Sequence, residues 1–335
     1  MKIDKADDNM NLVQETNKLL WECENYHLEY KPTLKIESKI QFGIELEYEQ
    51  ANQKAVTEII GKLYKEKILS YHKNNSIWIS KDDSSVHVMT NNETYGGEIA
   101  SAILTDDKES WNELKIVCDM LKSLGAISTE KTSTHVHVDQ SILGTDAKNW
   151  LNFIKLWITY EEIIYRFLFG EYSCGRGRLE QYCAPVRKQY LKDIRLYNLD
   201  ELNNLDVLIT RLKLGKYYGI NFMNATNNIR PDKINTIEIR VANGTLEPKI
   251  IQNNILFIDR LFEASKNISE EYINNKIKKL SIYSEENFNE LYIYEAIELA
   301  NLLYKDEYEK LSFLKQYLKS YEISNEFKRV NSITA

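Results

Sequence analysis

The sequence predicts an α+β fold, with strands spread over the chain as far as about residue 243 and helices from there to the end. Three observations predict it. Residues 42–49, FGIELEYE, alternate apolar and acidic side chains with the period of a half-buried strand. The same alternation returns in THVHVD (134–139) and NTIEIRVANGT (235–245). After Glu247, Pro248 stands at a suitable first helical position and the periodicity becomes helical.

Taken in order, residues 1–38 read as an N-terminal helical extension, with a helix over NLVQETNKLLWECENY before Pro32. The strand at 41–49 precedes a helical pattern at 54–69, and then come short strand-like pieces in SIWIS, SVHVMT and GGEIAS. A helix from about 107 to 124 starts in TDDKES and ends at Gly125, a good residue just past a helix terminus. Thr145 and Asp146 can cap a core helix that closes at Gly170 and leads to the Gly/Arg loop SCGRGRLEQYCAP. Strands resume at KYYGINFMN and NTIEIRVAN. The division that follows is 1–38, a catalytic domain at 39–262, and a C-terminal helical region at 263–335.

Composition narrows the function. The 335 residues are 43% hydrophobic, enough for a full core, and the net charge of −7 argues against a general binder of nucleic-acid backbones. The apolar window 151–169 is interrupted by Lys155, Glu161, Glu162 and Arg166, so no membrane span is expected. The N-terminus MKIDKADDNM has no apolar secretory core, and Cys23, Cys118, Cys174 and Cys183 form no C-x-x-C pair. A cytoplasmic protein with free thiols is expected.

Chemistry concentrates on the alternating strands. Strands are depleted in Glu and a row of like charges repels, so Glu45, Glu47 and Glu49 call for a counter-charge, and a metal ion would serve. The alternative is a strand with a solvated face. His135, His137 and Asp139 share one face of THVHVD; Glu238 and Arg240 share one face of NTIEIRVAN, where a surface ion pair is the plain reading. GGEIAS adds Glu98 and Ser101 after two glycines that admit a close neighbour. Glu45, Glu47, Glu98, His135 and Glu238 together form a hard-oxygen set with an imidazole, suited to Mg²⁺ or Mn²⁺. Arg176 and Arg178 in CGRGR are candidates to meet a phosphate or an acidic substrate, or else belong to a surface turn.

FGIELEYE, GGEIAS, THVHVD and TIEIRVANGTLEP, in that order, resemble the amidoligase family, a branch of the carboxylate-amine ligases that includes glutamine synthetase and glutamate-cysteine ligase. WISKDDSS, QYCAP and Asn221 in YYGINF have counterparts there as well. The resemblance covers about residues 41–262 and implies a glutamine-synthetase-like antiparallel sheet, curled into a partial barrel and backed by helices, that binds metal ions and ATP. It implies that Glu98 joins Glu47 at one metal while His135 and Glu238 join Glu45 at another. Arg240 would hold the transferred phosphoryl group, His137 would lie near the phosphates, and Asn221 would belong to the nucleotide site. The implied reaction activates a carboxylate as an acyl phosphate and joins it to an amine, with Asp139 or the pair Asp82/Asp83 as the base. Only one clear glutamate stands where glutamine synthetase has two in its second metal segment, which leaves the number of metals open. The rival expectations are a metal-dependent hydrolase or phosphoesterase, whose usual H-E-x-x-H motif is missing, and an inactive binding module on the same fold.

Overall fold

The computed structural model describes residues 5–172, 174–175, 177, 179–197, 204–225, 235–281, 286–288 and 290–319. Eight strands form one sheet: β1 (Gln41–Asn52), β2 (Ile79–Lys81), β3 (Val88–Thr90), β4 (Glu93–Ala100), β5 (Leu104–Thr105), β6 (Thr134–Asp139), β7 (Ile220–Asn221) and β8 (Thr236–Ile239). The order is β2-β4-β1-β6-β8-β7, with β3 on β4 and β5 on β1, and these ladders are antiparallel. Among the described residues no ladder joins β7 back to β2, so the antiparallel sheet is open where a partial barrel was expected. The outer strands, of two or three residues, are too short to carry the curl round to closure.

Period-two alternation divides the sheet as the sequence requires. Ile44, Leu46 and Tyr48 of β1, Val136 and Val138 of β6, and Ile237 and Ile239 of β8 are buried on one side. Helices cover that side. Asp146 caps the helix Ala147–Thr159 by accepting from Lys148 N–H, and Pro248 opens the long helix Pro248–Asn267. Phe153 and Phe262 join the two at a ring separation of 4.6 Å. The core helix expected to run unbroken to Gly170 divides at Tyr160, which leaves helical geometry (φ −116°, ψ 26°) before a second helix, Glu161–Leu168.

The N-terminal segment is tied to the rest of the molecule at several places. Lys315 Nζ donates to Cys23 O (3.0 Å) and the Tyr26 and Ser312 hydroxyls lie 2.7 Å apart. Asp106 accepts from Leu34 N–H, Ile36 N–H and Trp111 Nε1 at 2.6–2.8 Å, pinning the approach to β1. Three of the four cysteines are buried and all four are free thiols. No helix among the described residues is long and apolar enough to cross a membrane.

Candidate active site

The register of the ladders builds the site. Glu45 of β1 pairs with His135 of β6, and Glu47 pairs with Glu98 of β4. His137 pairs with Glu238 of β8, which in turn pairs with Asn221 of β7, while Glu98 pairs with Lys81 of β2. Paired residues on a sheet point to the same side, so side chains up to about 190 positions apart in the chain share one polar face.

That face carries two clusters. In the first, Glu45, His135 and Glu238 each offer an atom within 4.8 Å of the others. His135 Nδ1 is 3.2 Å from Glu45 Oε2 and 3.6 Å from Glu238 Oε1, and its Nε2 meets the Ser133 hydroxyl at 2.9 Å. Glu238 is held from two sides: Asn221 Nδ2 donates to its Oε2 at 2.6 Å, and Arg240 Nη1 donates to its Oε1. His137 Nε2 stands 3.3 Å from Glu45 Oε2. Burial opposes the charge on Glu45, but hydrogen bonds from His135 and His137 outweigh it and hold the carboxyl far below the usual range. Burial likewise works against the His137 cation, yet the bond to Glu45 raises its pKa.

The second cluster is Glu47, Asp83 and Glu98, again within 4.8 Å of one another. Ser133 N–H donates to Glu47 Oε2 at 2.7 Å. Asp83 is fixed by the turn it starts, its Oδ1 accepting from Ser85 N–H (2.8 Å) and Ser85 Oγ (2.7 Å). Two glycines allow this turn to lie against β4: a Cβ on Gly96 (φ +91°) would fall 2.6 Å from Val86 O, and one on Gly97 would fall 2.8 Å from Lys81 O. Lys81 Nζ links the clusters, 3.0 Å from Glu98 Oε1 and 3.6 Å from Glu45 Oε1. Burial pushes the Glu98 carboxyl up to about 7, with the charges of Glu45 and Glu47 adding to the rise and Lys81 opposing it.

The residues named from sequence thus fall into three groups. Glu45, Glu47, Glu98, His135, His137, Glu238 and Arg240 converge. Asn221 converges too: its Nδ2 donates to Glu238 and its Oδ1 accepts from Met223 N–H at 2.9 Å, so it helps to position that carboxylate. Asp139 does not join the clusters: it caps a short helical turn by accepting from Ser141 N–H (2.8 Å) and lines a small polar recess with Ser38, Lys39 and Gln41. Arg176 and Arg178 lie outside the described residues. Sequence reasoning saw Asp83 only as half of a possible base, and missed Lys81 altogether. The signal for both was WISKDDSS, in which the Trp78 indole, buried and donating to Glu113 Oε2 at 2.8 Å, anchors the short strand that delivers them. Asp82 points elsewhere, pairing with His87 Nδ1 at 2.6 Å.

Each cluster offers carboxylate oxygens, the first with one imidazole, and each could hold a hard divalent cation. The chain matches, over residues 38–262, the model of a family described as "putative amidoligase enzyme". Among solved structures it is similar to a bifunctional glutathione synthetase from Pasteurella multocida, at 10% identity and a TM-score of 0.39. The match covers 85% of this chain and 47% of that one, so the chain spans about half the length of that structure. No curated protein matches the chain.

Proposed function

The chain belongs to the amidoligase family, and from that premise we propose that it is an ATP- and divalent-metal-dependent carboxylate-amine ligase that forms an amide bond through an acyl phosphate. The observation that carries the reading is the convergence of five residues from four strands into two carboxylate clusters on one face, divided between Glu45 and Glu47. On this reading residues 39–262 are the catalytic domain on a glutamine-synthetase-like plan, 1–38 are an N-terminal extension and 263–335 a C-terminal region, and the free thiols suit the cytoplasm.

A carboxylate is a poor electrophile, and its condensation with an amine in water is uphill; coupling to ATP answers both difficulties. A carboxylate oxygen attacks the γ-phosphorus with loss of ADP, the amine nitrogen then attacks the acyl carbon, and inorganic phosphate leaves as the amine gives up a proton. Glu45, His135 and Glu238 would hold one Mg²⁺ or Mn²⁺ and Glu47, Asp83 and Glu98 another, which when bound neutralise charge on phosphate oxygens. The protein's own work is positioning. Asn221 and Arg240 fix the Glu238 carboxylate, Ser133 fixes Glu47 and His135, and the Ser85 turn fixes Asp83. Arg240, whose planar guanidinium suits phosphate oxygens, is placed in this reading on the transferred phosphoryl group, with His137 nearby.

The test is nucleotide turnover with Mg²⁺ in the presence of pooled carboxylic acids and amines, followed by mass spectrometry for products that have lost one water. ATP consumption that requires both partners and disappears in Glu238→Gln supports a ligase. Product formation, or hydrolysis, that proceeds without ATP would sink the reading.

A further inference from the structure

Just beyond the Glu47–Asp83–Glu98 cluster, β1 and β4 part. Tyr48 pairs with Gly97, but the next pair is Asn52 with Tyr95, so three residues of β1, Glu49 to Ala51, stand against Gly96 alone. Gln50 takes φ = 70° to make the bulge. Bulges are frequent beside active sites because they open a ladder and re-aim side chains. Here the opening forms a recess of about 440 Å³ lined by Glu49, Gln50, Val86, Val88, Thr90 and Tyr95. Small-ligand sites span about 300–1,000 Å³.

Each wall of the recess continues an element of the cluster. On β1, Glu49 follows Glu47 by two residues, roughly 7 Å along a strand. On the turn, Val86 follows Asp83 and donates its N–H to Asp83 O at 3.3 Å. On β4, Tyr95 precedes Glu98 and pairs across the ladder with Val88. A molecule in the recess is therefore a direct neighbour of the second carboxylate cluster.

The lining also selects a charge. Glu49 is the one carboxylate among the six, and the cluster beside it is acidic, so a carboxylate ligand would be repelled and an ammonium attracted. Glu49 Oε2 accepts from Thr129 Oγ1 at 2.5 Å, while Oε1 meets, among the described residues, the exposed Lys131 Nζ at 3.6 Å. A contact that long to a solvated lysine is weak, and the oxygen retains lone pairs for a better donor. Val86, Val88 and the Tyr95 ring supply apolar surface next to it.

We propose that this recess is the amine subsite, taking a primary amine as its ammonium ion with the charged end at Glu49 and an apolar body against Val86, Val88 and Tyr95; its assignment to the amine of an amide-forming reaction rests on the ligase reading above. The experiment is binding of phenethylamine to the full chain without nucleotide, by calorimetry, beside phenylacetate and 2-phenylethanol, which keep the body and change the charge. Phenethylamine is expected to bind about tenfold more tightly than either, the worth of one hydrogen bond to a charged group. Glu49→Gln, whose amide oxygen still accepts from Thr129, should remove that preference. Val88→Arg should also weaken amine binding about tenfold through like charge and lost apolar contact, without touching the core, because Val88 is 54% exposed. Phenylacetate binding as well as phenethylamine, no amine binding at millimolar concentration, or wild-type binding in both variants would overturn the proposal. Turnover separates the two readings: an active ligase with unchanged amine KM in both variants refutes the subsite alone, whereas amine binding at Glu49 in a chain that never consumes ATP refutes the ligase and leaves the recess.

Discussion

Replacing Glu47 by Gln should stabilise the protein without metal and blunt its response to metal. The oxygens of Glu47, Asp83 and Glu98 lie within 4.8 Å of one another, a distance at which two unit charges repel by about 3.5 kcal/mol for an effective dielectric near 20. The substitution removes two of the three pairs. Lys81, 3.0 Å from Glu98, and water reaching Asp83 offset much of the repulsion, so the net gain is about 2 kcal/mol, or roughly 3 °C in melting temperature for a chain of this size. The amide oxygen can still accept from Ser133 N–H, so the fold loses no bond there. The measurement is a thermal melt at pH 8, above the value of about 7 to which Glu98 is pushed, so that the Glu98 carboxylate is charged in the wild type. In EDTA the variant should melt above the wild type. With Mn²⁺ at a hundredfold excess over its dissociation constant the wild type should gain about 2.7 kcal/mol, roughly 4 °C, and the order of the two proteins should invert. In the variant only the Glu45–His135–Glu238 cluster remains intact to respond. A Glu47→Gln protein that melts lower in EDTA and keeps the full Mn²⁺ shift would refute the reasoning.

Three further outcomes are expected. Arg240→Lys should keep the fold, by circular dichroism, but lose about a hundredfold or more in kcat, because lysine keeps the charge but lacks the planar fork that contacts two phosphoryl oxygens at once; an unchanged kcat would make Arg240 structural. Asn221→Ala removes the 2.6 Å donor to Glu238 and should weaken Mn²⁺ binding about 10- to 100-fold, read by calorimetry, while leaving the Glu47 cluster's share of the response. Glu171, 5% exposed and accepting from Thr245 Oγ1, is pushed by burial from 4.5 up to about 7, so the folded chain holds its proton where the unfolded chain has lost it and stability falls as pH rises between those values. Glu171→Gln should flatten that fall, gaining on the wild type by up to about 3 kcal/mol from pH 4 to pH 8 in denaturant melts, and parallel pH profiles would contradict the assignment.

The sequence by itself determined the strands, their faces and most of the carboxylates. Period-two alternation is a local property: Ile44, Leu46 and Tyr48 had to be buried together, which put Glu45, Glu47 and Glu49 together on the other side, and the same holds for His135 and His137 and for Glu238 and Arg240. What alternation cannot supply is register, since a strand's neighbour is chosen by pairing over long distances in the chain. Alternation left open, and the family resemblance only implied, the split of one row of glutamates into two clusters; the tertiary structure set the register that stands Glu45 opposite His135 and Glu47 opposite Glu98. It also decided which polar residues serve the site from outside the alternating pattern. Asp83 enters through a turn lodged against Gly96, Lys81 through a three-residue strand, and Asn221 through a two-residue strand, and segments so short carry no period to read. Asp139 shows the reverse case: its phase on β6 matches the histidines, but the strand ends there and the side chain turns back to cap the next residues. The recess at Glu49 depends on a bulge between β1 and β4, a mismatch between two strands that neither strand's sequence contains alone.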